Sequence, residues 1–438
     1  MLKKILDLPR LAGVAEAILI GTAILTVPAH DARATALLPL AGQPTMTGDW
    51  GGVRTSLVNT GIDFHLAYLG QIGSNVAGGK ARGTDYTGQV TLGADWDLQK
   101  LFGGPAGGIV HSYVEDRAGR SVSADYTGST FEEDGFYGSG ENFRLMELAY
   151  EQNLFNKRLN VLVGYSVLGF EFGFSPVLCN ANFLANGLCG HPQFLATDTG
   201  FQIGPQADWG GRVRFYPIPS LYIATGAYEV NPEYSNNNKG FDLNFDGATG
   251  AMIPVEIGYT SSFGPDKLIG HYKIGGIYDT SEVKDVEYDE ERYGRYAGYL
   301  MVDQQVWKAA DSDRKLTLFG EAGIADKRTS LESTWLSAGF IDQGIMPSRP
   351  EDALNAGYMY AETNPRKLKG EDVILAREGM SSFYLEPAQM LMEIDYNISV
   401  IRGVSFTPDF QYIWNPGSVS YKHYDNAVVV GAQGKVVF

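Results

Sequence analysis

A set of charged residues recurs on one parity of stretches whose other parity is apolar. Asp95 and Asp97 lie in QVTLGADWDL, Arg212 and Arg214 in GRVRFYP, and Glu256 in AMIPVEIGY, with Arg295, Asp303, Glu321, Glu393 and Asp409 in later stretches of the same kind. Guanidinium forks donate hydrogen bonds and carboxylates accept them, so such a set can hold polar solutes weakly at many points. Parity identifies the wet wall of an element, and most of these side chains are expected to hydrate that wall rather than to narrow it. Arg82, Arg117, Arg120 and Arg144 lie near strand ends or in loops, where parity gives no answer but an inward-folding loop could bring them to a constriction.

Catalytic arrangements are harder to find. His65, His111, His191, His271 and His423 lie in no recognisable nucleophile motif, HExxH is absent, and GYSVLG lacks the Gly-x-Ser-x-Gly elbow spacing. Cys179 and Cys189 share the Pro-, Asn- and Gly-rich stretch SPVLCNANFLANGLCGHP. In an exported chain such a pair is expected to form a disulfide, and no CxxC or Cys/His quartet points to zinc. DLNFDG sets Asp242, Asn244 and Asp246 at the first spacings of a calcium loop, but Ile253 stands where the bidentate Glu is required. A polar loop is expected there, and neither a metal nor a cofactor is expected in the chain.

The elements carrying these residues read as strands. Val90, Leu92, Ala94, Trp96 and Leu98 oppose Thr91, Gly93, Asp95 and Asp97. Ile253, Val255, Ile257 and Tyr259 oppose Glu256, and Met390, Met392, Ile394 and Tyr396 oppose Glu393 and Asp395. The stretch NAVVVGAQGKVVF repeats the pattern, with Val428, Val430, Ala432, Val436 and Phe438 against Gln433 and Lys435. With 54 Gly, 25 Tyr and 22 Phe in 438 residues, the composition is that of a chain of many turning strands. Mean hydropathy is slightly negative although 44% of the residues are hydrophobic.

Lys3, Lys4 and Arg10 precede the apolar LAGVAEAILIGTAILTV, broken once by Glu16, and Ala32-Arg33-Ala34 offers a small-x-small cleavage site. Residues 1–34 are expected to be a secretory leader. No later stretch approaches the ~18 consecutive apolar residues of a spanning helix, so an exported membrane protein of this sequence must cross with strands. The net charge of −17 and the lack of Lys/Arg blocks argue against nucleic acid. Two-faced strands alone fit a soluble sandwich or a membrane barrel. The leader, the aromatics at strand ends such as Tyr412 and Trp414, and the two-faced final strand favour an all-β transmembrane antiparallel barrel. At about 25 residues per strand and loop, the length supplies about 16 strands, a size with an aqueous interior. The expected division is a leader at 1–34, a short segment with a GDWGG turn at 35–60, and the barrel at 61–438. The longest polar stretches, EDRAGRSVSADYTGSTFEEDGFYGSGENF and NPEYSNNNKGFDLNFDG, are expected to be extracellular loops.

GDWGGVRTSLVNTGIDF (Gly48 to Phe64), LCGHP, YEVNP, GIMPSRPEDALNAGY and FTPDFQYIWNPG resemble the carbohydrate-selective porins of Gram-negative outer membranes, the OprB type. The resemblance runs from about Thr47 to Phe438. It implies a 16-stranded, trimeric barrel in outer-membrane lipid through which monosaccharides such as glucose diffuse past arginines, acids and aromatics. It also implies that Phe438 is read by the barrel-assembly machinery. One departure is Gly164-Tyr165, where family members often carry Gly-Arg, so one lumen arginine is lost. The competing expectations are a general porin and, with less support, an outer-membrane barrel hydrolase.

Overall fold

Alternation over ten or more residues commits a segment to the pleat, because only a strand puts successive side chains on opposite faces. In the computed structural model, which describes residues 44–135, 137, 141–178, 182–288, 290–310, 312–377, 386–420 and 422–438, the alternating stretches form sixteen strands. These are β1 (Ile62–Gly79), β2 (Gly83–Asp97), β3 (Gly108–Gly119), β4 (Asn142–Leu154), β5 (Leu159–Ser166), β6 (Asp208–Ile218), β7 (Leu221–Val230) and β8 (Gly250–Phe263). They continue as β9 (Leu268–Lys284), β10 (Glu291–Lys308), β11 (Lys315–Ala325), β12 (Glu332–Gln343), β13 (Ala353–Thr363), β14 (Ala388–Ile401), β15 (Val404–Trp414) and β16 (Asp425–Val437). Each pairs antiparallel with its sequence neighbours, and β16 returns to β1 to close the barrel. The expected leader and Cys179 lie outside the described residues, as does the first part of the 35–60 segment.

The apolar parity faces outward. On β8, Ile253, Val255, Ile257 and Tyr259 are exposed while Glu256 between them is fully buried. A water-soluble barrel would invert that arrangement; here the exposed rows are the lipid surface. Turns at one end of the barrel are short, as at residues 155–158, 219–220, 264–267 and 402–403, whereas the longest connections, 120–141, 167–207, 231–249 and 364–387, join strands at the other. In barrels of this kind the short turns are periplasmic.

The GDWGG stretch turns into α1 (Val53–Thr60) at the short-turn end. Asp49 accepts from the Thr55 backbone and hydroxyl, both at 2.8 Å, and the Arg54 guanidinium covers the Trp50 ring and donates to the Phe438 carbonyl at 2.7 Å. The preceding residues press on the β14–β15 turn: at Gly403, whose φ is +74°, a Cβ would sit 2.3 Å from the Met46 nitrogen. Only glycine fits there.

Two expectations about the interior need correcting. The first polar stretch does not simply stand outside as an extracellular loop: within it, Val122, Phe131, Glu133 and Asp134 are buried. Residues 167–178 and 182–207 also turn inward, with α3 (Leu168–Glu171) and α4 (Phe194–Asp198), and fill part of the lumen. The inner wall is therefore not uniformly wet. Met252, Ile277, Tyr299, Phe319, Trp335, Met359, Leu391 and Ile413 face inward and pack against Phe172, Phe183, Leu188 and Phe194 of that insert.

The lipid-facing assignment has a direct test. Leu300 is exposed at the middle of β10. Leu300→Arg is expected to lower the unfolding free energy in lipid vesicles by about 2–4 kcal/mol. Thr317→Arg, on the lumen parity of β11, is expected to change it by about 1 kcal/mol or less. Denaturant unfolding of the two variants compares them.

Candidate functional site

The insert is held by the charged parity of the wall. Glu171 at the end of α3 takes the Arg212 Nε–H, and Arg212 also donates to the Asn160 side chain. Arg214 donates to the Glu171 carbonyl at 2.9 Å and lies over the Tyr222 ring. Glu256 accepts from the Gly173 amide at 2.8 Å and from the hydroxyls of Tyr299 and Tyr222. Glu393 accepts from the amides of Leu184 and Ala185, at 2.5 and 3.1 Å. Asp279 bonds the Gly200 amide and the Arg295 Nε–H, while Arg295 donates onward to the Asp198 carbonyl. Lys273 reaches the Phe174 carbonyl at 2.6 Å. An inward loop exposes backbone groups that strands would otherwise pair, and these buried charges supply the missing partners.

The structure distributes the sequence candidates unevenly. Arg212, Arg214, Glu256, Arg295 and Glu393 face the lumen but engage the insert. Asp409 bonds Gln411, whose amide donates to the Glu133 carbonyl of the other inward segment at 3.0 Å. Asp95 lies apart, bound by the His111 Nδ1 at 2.6 Å and the Tyr113 hydroxyl at 2.8 Å. Asp97 is no wall donor or acceptor. It caps α2 (Leu98–Phe102), accepting from the amides of Gln99 and Lys100, because the strand ends there and the new helix needs its first N–H groups satisfied.

Asp303 and Glu321 have a different setting. The Asp303 Oδ1 lies 2.6 Å from the His271 Nδ1, and Glu321 accepts from Ser337 at 2.9 Å. With Phe174, Pro176, Lys273 and Met301 they line a narrow, water-sized crevice against the insert. Among the loop arginines, Arg117 bonds Glu115 and the Gly204 carbonyl, and Arg144 bonds Asn142 and the Tyr234 carbonyl, all within the wall and loops. Arg120 is exposed beside Asp125, and Arg82 is exposed. Tyr165 is buried edge-on to Trp209 and Tyr234.

Sequence reasoning missed Glu171, Tyr299, His271, Lys273 and the whole insert. The available signal was negative: residues 167–207 are too long for a turn, lack alternation, and are rich in Phe and Leu. In the stretch with calcium-loop spacing, Asp242 accepts from the Asn244 amide and its carboxylate lies 3.5 Å from the Lys239 Nζ. Cys189 is disulfide-bonded.

Burial shifts the titration of the inward loops. It raises Glu133 to about 7 and Asp134 to about 9, the latter aided by the neighbouring charges of Glu132 and Glu133. It holds His191 down to about 4, with its Nδ1 3.0 Å from the Gly173 carbonyl and its ring against Phe174.

A closed sixteen-stranded barrel, apolar outside and polar within, its lumen narrowed by an inward segment, defines an outer-membrane porin. Residues 81–438 match the model of the carbohydrate-selective porin, OprB family, and the chain belongs to that family. It is 30% identical to Porin B of Pseudomonas aeruginosa over 90% of this chain and 91% of that protein. It is 25% identical to the putative porin QuiX of Acinetobacter baylyi over 90% and 93% of the two chains. A structure of Pseudomonas putida OprB at high pH superimposes with a TM-score of 0.84 at 27% identity, covering 90% of this chain and 99% of that one. The protein is thus a carbohydrate porin of the Gram-negative outer membrane, and its family and fold are those of a channel.

His191 gives a pH test. Its folded pKa of about 4 lies below the ordinary 6.5, so the unfolded chain takes up the proton first as pH falls. Its contribution is complete above pH 6.5 and is lost between 6.5 and about 4. The stability difference between the wild type and His191→Phe is expected to shift by about 3 kcal/mol against the wild type across that window, read by denaturant unfolding at each pH.

Proposed function

We propose that the channel passes neutral monosaccharides of the glucose type by diffusion past a weak, multi-contact site beneath the insert. The observation that carries this reading is the narrowing of the lumen by the insert, at whose edge a small crevice is lined by Phe174, His271, Lys273, Asp303 and Glu321. A sugar presents hydroxyls, which need both donors and acceptors, and a ring face, which packs on an aromatic; this lining offers all three. Low affinity follows from the task, because a solute held tightly would not leave.

In this reading the sequence candidates divide by role. Asp303 and Glu321 meet the solute. Arg212, Arg214, Glu256, Arg295, Glu393 and Asp409 act as positioning residues, holding the segments that narrow the path. Asp95 hydrates the wall nearer the short-turn end. The same reading includes removal of residues 1–34 on export, a short 35–60 segment ahead of the barrel, assembly as a homotrimer, and recognition of the final strand by the barrel-assembly machinery. We assign no catalytic step, because the family and fold are those of a channel.

Swelling of liposomes carrying the purified protein tests the proposal. Glucose is expected to enter faster than a neutral non-sugar of similar size and faster than a disaccharide. Rates that track size alone would make the channel a general porin. Asp303→Asn with Glu321→Gln is expected to slow glucose about fivefold, the worth of roughly one hydrogen bond, at unchanged ionic conductance. Arg212→Ala with Arg214→Ala is expected to raise conductance and erase the preference, since the insert loses its clasp. Unchanged conductance and preference would remove both arginines from that role.

A further inference from the structure

Three carboxylates meet on the inner wall where it receives the two inward segments. Asp395 of β14 stands directly opposite Asp409 of β15, and Glu393 is two residues along, opposite Gln411. All are buried, and like charges directly opposed on a sheet repel. Asp395 accepts from Asn355 Nδ2 at 2.6 Å, Asp409 from Gln411 Nε2 at 2.8 Å, and Glu393 from the backbone of the insert, while the Asp409 and Glu393 carboxyls also lie within hydrogen-bond reach of each other.

The bonds to Asp395 and Asp409 each fix one side of the group and leave the other without an amide donor. Asp395 Oδ2, Asp409 Oδ1, Asn355 Oδ1 and Gln411 Oε1 are all buried without a hydrogen-bond partner among the described residues. Asn355 pairs across with Asp395, and Gln411 lies two residues from Asp409, so the four bare oxygens come from three adjacent strands. A shared proton could quiet the two carboxylates, but it would leave two amide oxygens unsatisfied, and buried acceptors of that kind call for an occupant. Carboxylate and amide oxygens together are the donor set of a hard cation, and ligands held by hydrogen bonds on their far side are already oriented for one. Among the described residues no three Asp, Glu, His or Cys side chains form a metal-holding group by themselves, so the amide oxygens are essential to the set.

We propose that Asp395, Asp409, Asn355 and Gln411 form a binding site for a divalent cation of the calcium type. The bound ion offsets the Asp395–Asp409 repulsion and ties β13, β14 and β15 together. On that patch Glu393 grips residues 184–185, and Gln411 holds the Glu133 carbonyl. The ion therefore stiffens the wall on which both inward segments rest.

The test is calorimetric titration of Ca²⁺ into chelator-stripped purified protein in detergent, with thermal unfolding followed in parallel. The wild type is expected to bind Ca²⁺ at a single site per chain and to unfold at a higher temperature with it. Asp395→Asn/Asp409→Asn is expected to weaken binding about tenfold or more and to lose the thermal shift; Asp409→Asn alone serves if the double variant does not fold. Asp242→Asn/Asp246→Asn, in the external loop, is expected to bind as the wild type does. The proposal is overturned if Ca²⁺ leaves the wild type unchanged, if the wall variants respond as the wild type does, or if only the loop variant loses binding. A wild type that ignores Ca²⁺ beside a more stable wall variant would show carboxylates sharing protons.

Discussion

In hydrocarbon a backbone N–H or C=O without a partner costs several kcal/mol, and no water is present to supply one. Every other feature of this molecule is subordinate to that constraint. It is met by pairing each strand with both neighbours and by returning β16 to β1, from Ala67 against Val437 to Gly79 against Asp425. Closure removes the edges, and with both edges gone the outward face can be apolar around the whole circumference. The charged parity is then forced inward, whatever it will be used for.

Its main use here is to hold protein. Once residues 167–178 and 182–207 fold into the lumen, their backbone leaves the ladder and needs other partners. Glu256, Glu393 and Asp279 accept from backbone amides of the insert, while Arg214, Arg295 and Lys273 donate to its carbonyls. Charge-assisted bonds to backbone groups are strong, and fixing the insert this way sets the bore of the channel. Selectivity for a weakly held solute depends on a rigid lining more than on the number of charges in the wall.

The division of labour explains which residues sequence reasoning could find. Alternation showed that Arg212, Arg214, Glu256 and Glu393 face the lumen, because parity is a local property of a strand. It did not show that Glu171 would meet Arg212 and Arg214 from a separate segment, since nothing local links those positions. Asp97 illustrates the limit in the other direction. It has the parity of a wall residue, yet the chain turns into a helix immediately after it and the side chain caps that helix. The inward-facing Trp335, Met359 and Leu391 were also illegible as anchors, since apolar residues on a wet parity make sense only opposite the insert that covers them.

The sequence by itself determined the all-β class, the strand number to within the precision of chain length, the face each strand turns to lipid and the family, because period-two patterning and local motifs survive without knowledge of neighbours. Tertiary structure alone decided which wall charges are consumed by the insert. It also decided that Asp395, Asp409, Asn355 and Gln411 share one buried patch. These outcomes depend on which strand lies beside which and on where a non-periodic segment comes to rest. Contacts between residues far apart in the chain settle both.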